Sequence, residues 1–351
     1  MVRNALMKNI NIGFIGAGFI AQQCHLPAFK EQSNCCLVGI ADPHNDLVQR
    51  VASMFEIPFT YSSHKDLIAN NEIDAVVITL PRAYTYGVVR DCLKAGKHVF
   101  TEKPLTLNHE NASKLKKLAQ KKKLLLYVGY MKRNDSGMKI FKDMIQQRYS
   151  NNKNPLLIKS TCFMGDSYCS PFGSIKSNNE PESLDLFYEN FPILIKARDK
   201  AGYENFINTY SHVLDSLQHI FTKKLKLIKS NISNEGYGIT LFNVGDTPAE
   251  ISTAKSEINH WFEEIQVVYA DEILAINLPP ALLKNVPATI KVQKGRDFFE
   301  ETIIRPKWSW AFLNQAEDFL LRLQKNNMDL SPLESAIESL KLSLSIFKNR
   351  F

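Results

Sequence analysis

The chain of 351 residues is poor in cysteine, and its few cysteines follow no recognisable pattern. There are six, and no two have the spacing of a Cys-x-x-Cys metal or redox motif. Scattered cysteines are typical of reduced thiols, so we expect a cytoplasmic protein. No cluster of His, Cys, Asp and Glu has metal-ligand spacing either, and the sequence predicts no bound metal.

Long apolar runs are also absent. No stretch of about 18 residues is both apolar and uncharged, which predicts that no segment spans a membrane. Residues 1–11 lack the apolar stretch of a signal peptide. The composition, 44% hydrophobic and 23% charged, is typical of a folded globular protein and excludes the disordered and fibrous classes. The length favours about two domains, which we place at 1–130 and 131–351.

The net charge of +7 raises nucleic acid as a partner. The excess lies in residues 1–130, which hold 16 Lys and Arg against 10 Asp and Glu. Six lysines in the acid-free segment 114–123 account for all of it. They share a predicted helix with an apolar stripe formed by Ala112, Leu115, Leu118 and Ala119. We therefore interpret the basic charge as a solvated helix face and expect no nucleic-acid partner.

A glycine-rich turn follows the first apolar run. Residues 11–15 predict a buried strand, and Gly16-Ala17-Gly18-Phe19-Ile20-Ala21 has the G-x-G-x-x-A form of a dinucleotide fingerprint. The first glycine permits the tight turn, the second lets the backbone approach a pyrophosphate, and the small Ala21 allows close helix packing. The pyrophosphate would lie at the start of the next helix. We expect Gly16, Gly18, Phe19 and Ile20 to bind a cofactor.

An aspartate ends the second predicted strand, residues 37–41. Asp42 lies 26 residues after Gly16, where an acidic side chain is expected to bind the adenosine ribose hydroxyls. Its carboxylate would repel a 2′-phosphate, and the next residues, Pro43 and His44, supply no arginine to offset that. The sequence therefore favours NAD over NADP, although a solvated turn is the alternative role for Asp42.

Strands and helices alternate up to residue 128. This alternation predicts an α/β fold with a doubly wound parallel sheet, a Rossmann domain. The predicted strands are 11–15, 37–41, 59–61, 75–79, 98–100 and 124–128, and the predicted helices are 45–55, 64–70, 84–95 and 109–123.

Several further strings carry a family resemblance. They are "HLPAF" from His25, "GIADP" from Gly39, "AGKHVFTEKPLTL" from Ala95, "GYMKR" from Gly129 and "SHVLD" from Ser211. With the fingerprint, they make the chain resemble the Gfo/Idh/MocA oxidoreductases, the family of glucose–fructose oxidoreductase and inositol dehydrogenase. The resemblance covers most of the chain, and the tripeptide Glu102-Lys103-Pro104 is its most specific part.

Lys103 is the first catalytic candidate. It follows a predicted parallel strand, at the edge where open α/β sheets bind ligands, and Pro104 ends that strand. A lysine there can donate a hydrogen bond to a substrate oxygen and favour negative charge on it. The alternative is a surface lysine paired with Glu102. The resemblance favours the catalytic role, and we expect Thr79, Pro81, Glu102 and Lys103 to contact the cofactor.

From residue 131 the alternation stops. Consecutive strands with short turns predict a second, α+β domain with a large, mainly antiparallel open sheet. Its predicted strands are 156–163, 225–232, 238–244, 250–258, 263–269, 272–277 and 288–293; its predicted helices are 205–221, 310–323 and 332–347; and 165–182 is a polar loop.

The helix predicted at 205–221 holds the second catalytic candidate. Asn208, His212 and Asp215 are spaced to lie on one face of a single helix. The resemblance implies that His212 is the general base for a substrate hydroxyl, a task that suits an imidazole. A structural histidine is the alternative. The predicted substrate contacts are Lys103, Tyr130, Arg133, Asn208 and His212.

The substrate half departs from the family pattern. Many members have an aspartate where this chain has Asn208, which cannot take a proton. Arg82, Thr85 and Met131 stand where asparagine, histidine and asparagine are often found. The residues expected to bind the cofactor therefore follow the family pattern, whereas several of those expected near the substrate depart from it.

The resemblance implies an NAD-dependent oxidoreductase acting on a secondary alcohol or ketone of a sugar, sugar derivative or cyclitol. It also implies a homodimer or homotetramer assembled through the open face of the second sheet. A non-catalytic NAD-binding sensor or regulator on the same fold is the alternative that the altered substrate half leaves open.

Overall fold

The computed structural model describes residues 9–165, 173–179, 189–258, 260–280 and 282–350. These residues divide into two units. The first unit comprises the residues up to Gly129 together with 173–179, 189–190 and 315–337. The second unit comprises the remaining described residues.

The first unit contains a six-stranded, wholly parallel sheet. Its strand order is β3-β2-β1-β4-β5-β6, the order of a doubly wound dinucleotide-binding sheet. The Rossmann prediction is therefore confirmed, and each of the six predicted strands is present. Their bounds are β1 Ile10–Ile15, β2 Cys35–Ala41, β3 Phe59–Tyr61, β4 Ala75–Ile78, β5 His98–Thr101 and β6 Leu126–Val128.

Helices alternate with these strands because each crossover must return to the same edge of the sheet. The helix after β1 contains a π-helical turn, Ala21–His25, that continues into α1. The helices of this region are α1 Leu26–Lys30, α2 Asn45–Phe55, α3 His64–Ala69, α4 Arg82–Lys94 and α5 His109–Lys122.

The six lysines at 114–123 lie on and just beyond α5. Of the predicted apolar stripe, Ala112, Leu115 and Ala119 are buried and Leu118 is half-buried. All of the six lysines except the half-buried Lys116 are exposed. Lys116 forms an ion pair with Glu334 of the same unit. The basic charge therefore lies on the outer face of an amphipathic helix, as the sequence predicts.

Strand register sets the position of the predicted cofactor residues. Ile15 pairs with both Ala41 and Ile78, and Ile78 pairs with Thr101. The residues that follow these strand ends therefore share the carboxyl edge of the sheet, which is where open α/β sheets bind ligands. They include Gly16, Asp42, Thr79, Glu102 and Lys103.

The second unit contains an eight-stranded sheet in the order β14-β13-β12-β11-β7-β10-β9-β8. Every neighbouring pair is antiparallel except β7 and β10, which are parallel. The mainly antiparallel sheet predicted from the sequence is confirmed. Its strands are β7 Leu157–Met164, β8 Leu225–Ile232, β9 Gly238–Val244, β10 Thr247–Lys255, β11 Phe262–Val268, β12 Glu272–Asn277, β13 Thr289–Lys294 and β14 Glu300–Ile304.

Two elements were not predicted. Helix α6, Ser136–Ser150, begins at Asp135, whose side chain accepts hydrogen bonds from the backbone N–H groups of Gly137 and Met138. The capping aspartate is the sequence signal that could have revealed it. Strand β14 begins with two glutamates, and four of its five residues are exposed, so it lacks the alternation of buried apolar and exposed polar residues that marks a strand.

The prediction of a single helix at 205–221 is wrong. The segment forms two helices, α7 Lys200–Thr209 and α8 Ser211–Ile220, with Tyr210 ending one and beginning the other. The ψ of Tyr210 is −12°, whereas residues of a regular α-helix have ψ of about −42°. Its buried ring packs against Phe206 and Tyr237, which holds the chain in this bend. Asn208 and His212 therefore do not share one face of one helix.

Two helices complete the chain, α9 Ala311–Gln324 and α10 Ser331–Lys348, and both were predicted. None of the described helices has the length and apolar character that crossing a bilayer requires. Of the predicted loop at 165–182, the structure describes 165 and 173–179, which form neither helix nor strand; the rest lies outside the described residues.

Candidate functional site: a dinucleotide edge and a histidine helix

The fingerprint turn has the backbone shape that its glycines predict. Gly16 has φ of +99°, a conformation that side chains disfavour, and a Cβ there would lie 2.5 Å from the carbonyl oxygen of Thr79. The hydroxyl of Thr79 donates to the carbonyl oxygen of Gly16 at 2.9 Å. These contacts hold the turn close against the end of β4.

Gly18 meets a different requirement. A Cβ on Gly18 would meet no heavy atom within 4 Å, so the backbone here borders open space. Phe19 and Ile20, at the start of the helix, are only half-buried. Exposed backbone before a helix N-terminus is the shape that a pyrophosphate requires.

Asp42 is buried, and both of its carboxylate oxygens accept hydrogen bonds from the protein. The N–H of Ala17 donates to Oδ2 at 2.9 Å, and the N–H of His44 donates to Oδ1 at 3.0 Å. The Nδ1 atom of His44 lies 2.9 Å from the same Oδ1. Asp42 therefore ties the glycine turn to the end of β2, a role that the sequence did not reveal.

The segment after β4 carries two predicted cofactor contacts. Thr79 is buried, and Pro81 is exposed at the residue that precedes α4. Arg82 and Thr85, two of the departures from the family pattern, lie in the first turn of that helix, where Thr85 is buried.

Glu102 and Lys103 follow β5 at the same edge. One oxygen of Glu102 accepts the backbone N–H of Lys103 at 3.0 Å, and the other lies 2.6 Å from Nε2 of His25. Burial disfavours the charge of Glu102, but the hydrogen bond from His25 and the charges of His25 and Lys103 outweigh it, so the pKa of Glu102 is lowered. A charged Glu102 thus lies beside the predicted catalytic lysine.

Sequence reasoning missed the role of His25. Its side chain is 1% exposed and lies in the π-helical turn after the fingerprint. The histidine was visible in the string "HLPAF", but its partner is 77 residues away. No local pattern connects two residues at that separation.

A second missed feature is a segment held against the fingerprint helix. The side-chain amide of Gln22 pairs with the backbone of Ile175: the N–H of Ile175 donates to Oε1 at 2.7 Å, and Nε2 donates to the carbonyl at 2.9 Å. Ser177 donates to the carboxylate of Asp46 on α2 at 2.6 Å. Residues 173–179 therefore connect the helix after β1 to the helix after β2.

In the second unit, His212 lies in the first turn of α8. Its ring meets the edge of Tyr130 at a centroid distance of 5.7 Å and an interplanar angle of 86°. Asn208 lies in the last turn of α7, before the bend at Tyr210. The structure thus brings His212 and Tyr130 together and places Asn208 on a different helix.

Arg133 binds Asp215, the residue one turn after His212. The Nε atom of Arg133 donates to Oδ2 at 2.8 Å, and Nη2 donates to Oδ1. The side chains of Arg133 and Asp215 are 12% and 2% exposed. A two-pronged pair this deeply buried sets the position of both residues.

Among the described residues, no group of three or more His, Cys, Asp and Glu side chains could hold a metal ion. The predicted cofactor residues, by contrast, converge on one sheet edge of the first unit. The predicted substrate residues Tyr130, Arg133 and His212 lie together in the second unit.

Comparison with known proteins finds a family match for the first of these regions, the sheet edge with the predicted cofactor residues. Residues 10–130 match the model of the GFO_IDH_MocA oxidoreductase family, described as having an NAD-binding Rossmann fold. That stretch contains the fingerprint turn, Asp42 and the Glu102-Lys103 pair.

Among curated proteins, the chain is similar to YceM of Salmonella typhimurium, which bears the name of an oxidoreductase. The two are 36% identical over 129 residues, 36% of this chain and 40% of the relative. It is also similar to the myo-inositol 2-dehydrogenase of Thermotoga maritima, at 28% identity over 43% of this chain and 45% of the relative. The matched region therefore spans less than half the length of these relatives.

Among solved structures, the chain is similar to KijD10, a 3-ketoreductase from Actinomadura kijaniata in complex with NADP and TDP-benzene. The TM-score is 0.75 over 98% of both chains, at 15% identity. At that identity the likeness establishes the fold of both units and no more. The family match therefore holds for residues 10–130, which carry the NAD-binding Rossmann fold, and for the rest of the chain the comparisons show the fold alone.

Proposed function

We propose that this protein is an NAD-dependent oxidoreductase that acts on a secondary alcohol or ketone of a sugar, sugar derivative or cyclitol. The observation that carries the proposal is the carboxyl edge of the first sheet. There an open glycine backbone, a buried Asp42 and the Glu102-Lys103 pair follow strands β1, β2 and β5 at one edge of the sheet. The relatives' names, among them a myo-inositol dehydrogenase and a sugar ketoreductase, support this substrate class.

The residues present fit a dinucleotide. The open backbone at Gly18 leaves room for a pyrophosphate that a side chain would fill, and Gly16 needs its positive φ to shape that turn. Gly16, Gly18, Phe19 and Ile20 would hold the pyrophosphate. Thr79 and Pro81 would border the nicotinamide half. When bound, the nicotinamide supplies the acceptor or donor of the hydride.

Asp42 supports NAD rather than NADP as this cofactor. The carboxylate is buried, and its oxygens retain acceptor capacity beyond the bonds from Ala17 and His44. Ribose hydroxyls can donate to it, whereas a 2′-phosphate would meet a like charge. The solved structure of KijD10 contains NADP, so the choice has to be measured for this chain.

Lys103 would hold the reacting oxygen of the substrate. In oxidation, the ammonium donates a hydrogen bond to the oxygen and favours negative charge as the proton leaves. Glu102 accepts the backbone N–H of Lys103, which orients the lysine's backbone at the strand end.

His212 would exchange the substrate proton. In oxidation its imidazole takes the hydroxyl proton, and in reduction the imidazolium returns it. Tyr130 lies edge-on to the ring and restricts its orientation. Asn208 can donate to or accept from a substrate hydroxyl but takes no proton.

A lysine substitution tests the proposal. Lys103→Met should lower the turnover number about 100- to 1,000-fold, the scale lost when an electrostatic donor to the reacting oxygen is removed. Its Kd for NAD should stay within about threefold. Turnover is followed by NADH absorbance with a panel of sugars, cyclitols and nucleotide sugars, and binding by fluorescence titration.

The matched control is Lys121→Met, on the exposed face of α5. It should leave both turnover and NAD binding unchanged. A wild-type protein that binds NAD but reduces none of it with any compound of the panel would overturn the enzyme proposal and favour the sensor instead.

We also propose that the protein assembles through its second sheet. On β9, Ile239 and Leu241 are 49% and 42% exposed. The residues that alternate with them along the strand, Thr240 and Phe242, are buried. Apolar side chains that project from one face of a sheet favour burial against another copy. Light scattering after size exclusion should give a dimer or tetramer mass, reduced to a monomer by Leu241→Lys.

A further inference from the structure

The short 3-10 turn after β6 is unusually well anchored. It spans Met131–Asn134 and is followed by Asp135, which caps α6 and accepts the backbone N–H of Ala288 at 3.1 Å. Inside the turn, Lys132 donates to the carboxylate of Glu263 on β11 at 2.6 Å. The turn and the residue that follows it are therefore bound to two different segments of the second unit.

Arg133 connects the same turn to α8. Its guanidinium donates to both oxygens of Asp215, which lies in the middle of that helix. Burial raises the pKa of the Asp215 carboxyl, and the charge of Arg133 opposes that increase. Without Arg133, α8 would hold a buried carboxylate that has lost its principal partner.

The Arg133-Asp215 pair is linked to His212 in two ways, through helix α8 and through the ring of Tyr130. Asp215 follows His212 by three residues, so both lie on neighbouring positions of one helix surface. Tyr130, directly before the turn, contacts the ring of His212, and the centre of its own ring lies 5.6 Å from the guanidinium carbon of Arg133. The pair therefore determines both where α8 sits and where the tyrosine ring packs.

We propose that Arg133 and Asp215 are positioning residues for His212, which they hold in its place through α8 and Tyr130 without touching the substrate. The inference rests on the proposed role of His212. The sequence predicts that Arg133 contacts the substrate. The inference differs from that prediction because the Nε and Nη2 atoms of Arg133 both donate hydrogen bonds to Asp215.

A matched pair in the same unit provides the control. Arg148, in the last turn of α6, donates Nε and Nη2 to Glu272 at 2.8 and 2.7 Å. The Arg148 and Glu272 side chains are 16% and 9% exposed, close to the values for Arg133 and Asp215. Arg148→Ala therefore removes a two-pronged pair of similar burial that makes none of the described hydrogen bonds with α8, and Glu272 keeps its ion pair with Lys153.

The kinetic experiment compares Arg133→Ala with Arg148→Ala. Both should lower the melting temperature, but only Arg133→Ala should lower kcat, by about 100-fold, the effect expected from a misplaced catalytic group. KM and the Kd for NAD should change less than threefold. Added guanidinium chloride, at concentrations below denaturation, should restore kcat of Arg133→Ala about tenfold and leave Arg148→Ala unchanged.

A second measurement does not depend on turnover. The ring signal of His212 is assigned in a histidine NMR spectrum by its loss in His212→Asn. It should move in Arg133→Ala and in the milder Asp215→Asn, which retains the shape of the carboxylate, but not in Arg148→Ala. This spectrum tests the inference even if no substrate is turned over, so its failure and that of the proposed function are distinguishable.

Three results would overturn the inference. One is an equal loss of kcat in the two arginine variants, which would indicate a general stability effect. Another is a rise in KM alone for Arg133→Ala, which would make Arg133 a substrate contact. The third is an unmoved His212 signal in both Arg133→Ala and Asp215→Asn.

Discussion

The Nε2 atom of His25 lies 2.6 Å from Oε1 of Glu102, although 77 residues separate them. The His25 side chain is 1% exposed and that of Glu102 15%. The other oxygen of Glu102 accepts the N–H of Lys103, so the histidine supports the carboxylate beside the predicted catalytic lysine.

Replacing His25 should therefore destabilise the first unit. His25→Ala removes a hydrogen bond to a buried charge and leaves a small cavity, so we expect the free energy of unfolding to fall by about 2 kcal/mol. Urea denaturation measures this. His44→Ala is the control, because His44 makes a similar contact with Asp42 at 2.9 Å but has a 30% exposed side chain. A loss for His25→Ala no larger than for His44→Ala would contradict the structural role.

The two fingerprint glycines should respond differently to alanine. Gly16→Ala forces a Cβ to within 2.5 Å of a backbone oxygen at positive φ, so the free energy of unfolding should fall by about 2 kcal/mol. Gly18→Ala meets no neighbouring atom, so stability should change by less than about 0.5 kcal/mol while NAD binding weakens at least about tenfold. Calorimetry and NAD titration separate the two effects. Unchanged NAD binding in Gly18→Ala would place the pyrophosphate elsewhere.

Asp42 should determine the choice of cofactor. Asp42→Asn removes the negative charge, so affinity for NAD should fall about 10- to 100-fold, and the preference for NAD over NADP should decrease. Isothermal titration with both cofactors measures the ratio. Asp66→Asn, an exposed carboxylate on α3, should leave the ratio unchanged. A wild-type preference for NADP would show that the prediction of NAD is wrong.

Glu189 should make stability depend on pH. Burial raises its pKa to about 7, although the N–H groups of Leu107 and Asn108 and the side chain of Asn111 donate to it and oppose the shift. Between pH 4.5 and 7 the folded protein holds more protons than the unfolded chain, so stability falls as pH rises, by up to about 1 kcal/mol per unit.

Glu189→Gln removes this titration. The free energy of unfolding of the wild type, measured relative to that of Glu189→Gln, should therefore be highest near pH 4.5 and decline until about pH 7. Parallel urea titrations across this range provide the comparison. A difference that is flat, or that rises with pH, would contradict the direction of the pKa shift.

Local pattern accounts for most of what the sequence predicts correctly. The apolar runs of β1 and β4 mark strands that are buried on both faces, and the glycine turn after β1 can be recognised from consecutive residues. The missed elements lack such a signal or contradict it. Strand β14 is mostly exposed and has no apolar alternation, and the bend at Tyr210 occurs inside a segment with continuous helical spacing.

The sequence by itself determined the parallel α/β sheet, its fingerprint turn and the residues that follow each strand, because these depend on periodicity and on single backbone positions. Only the tertiary structure decided which polar groups meet. Arg133 and Asp215 are 82 residues apart, and Glu189 lies 82 residues from the Leu107 N–H that it accepts. Such pairs form because a buried charge must find a partner wherever the folded chain supplies one, and no spacing along the sequence records that choice.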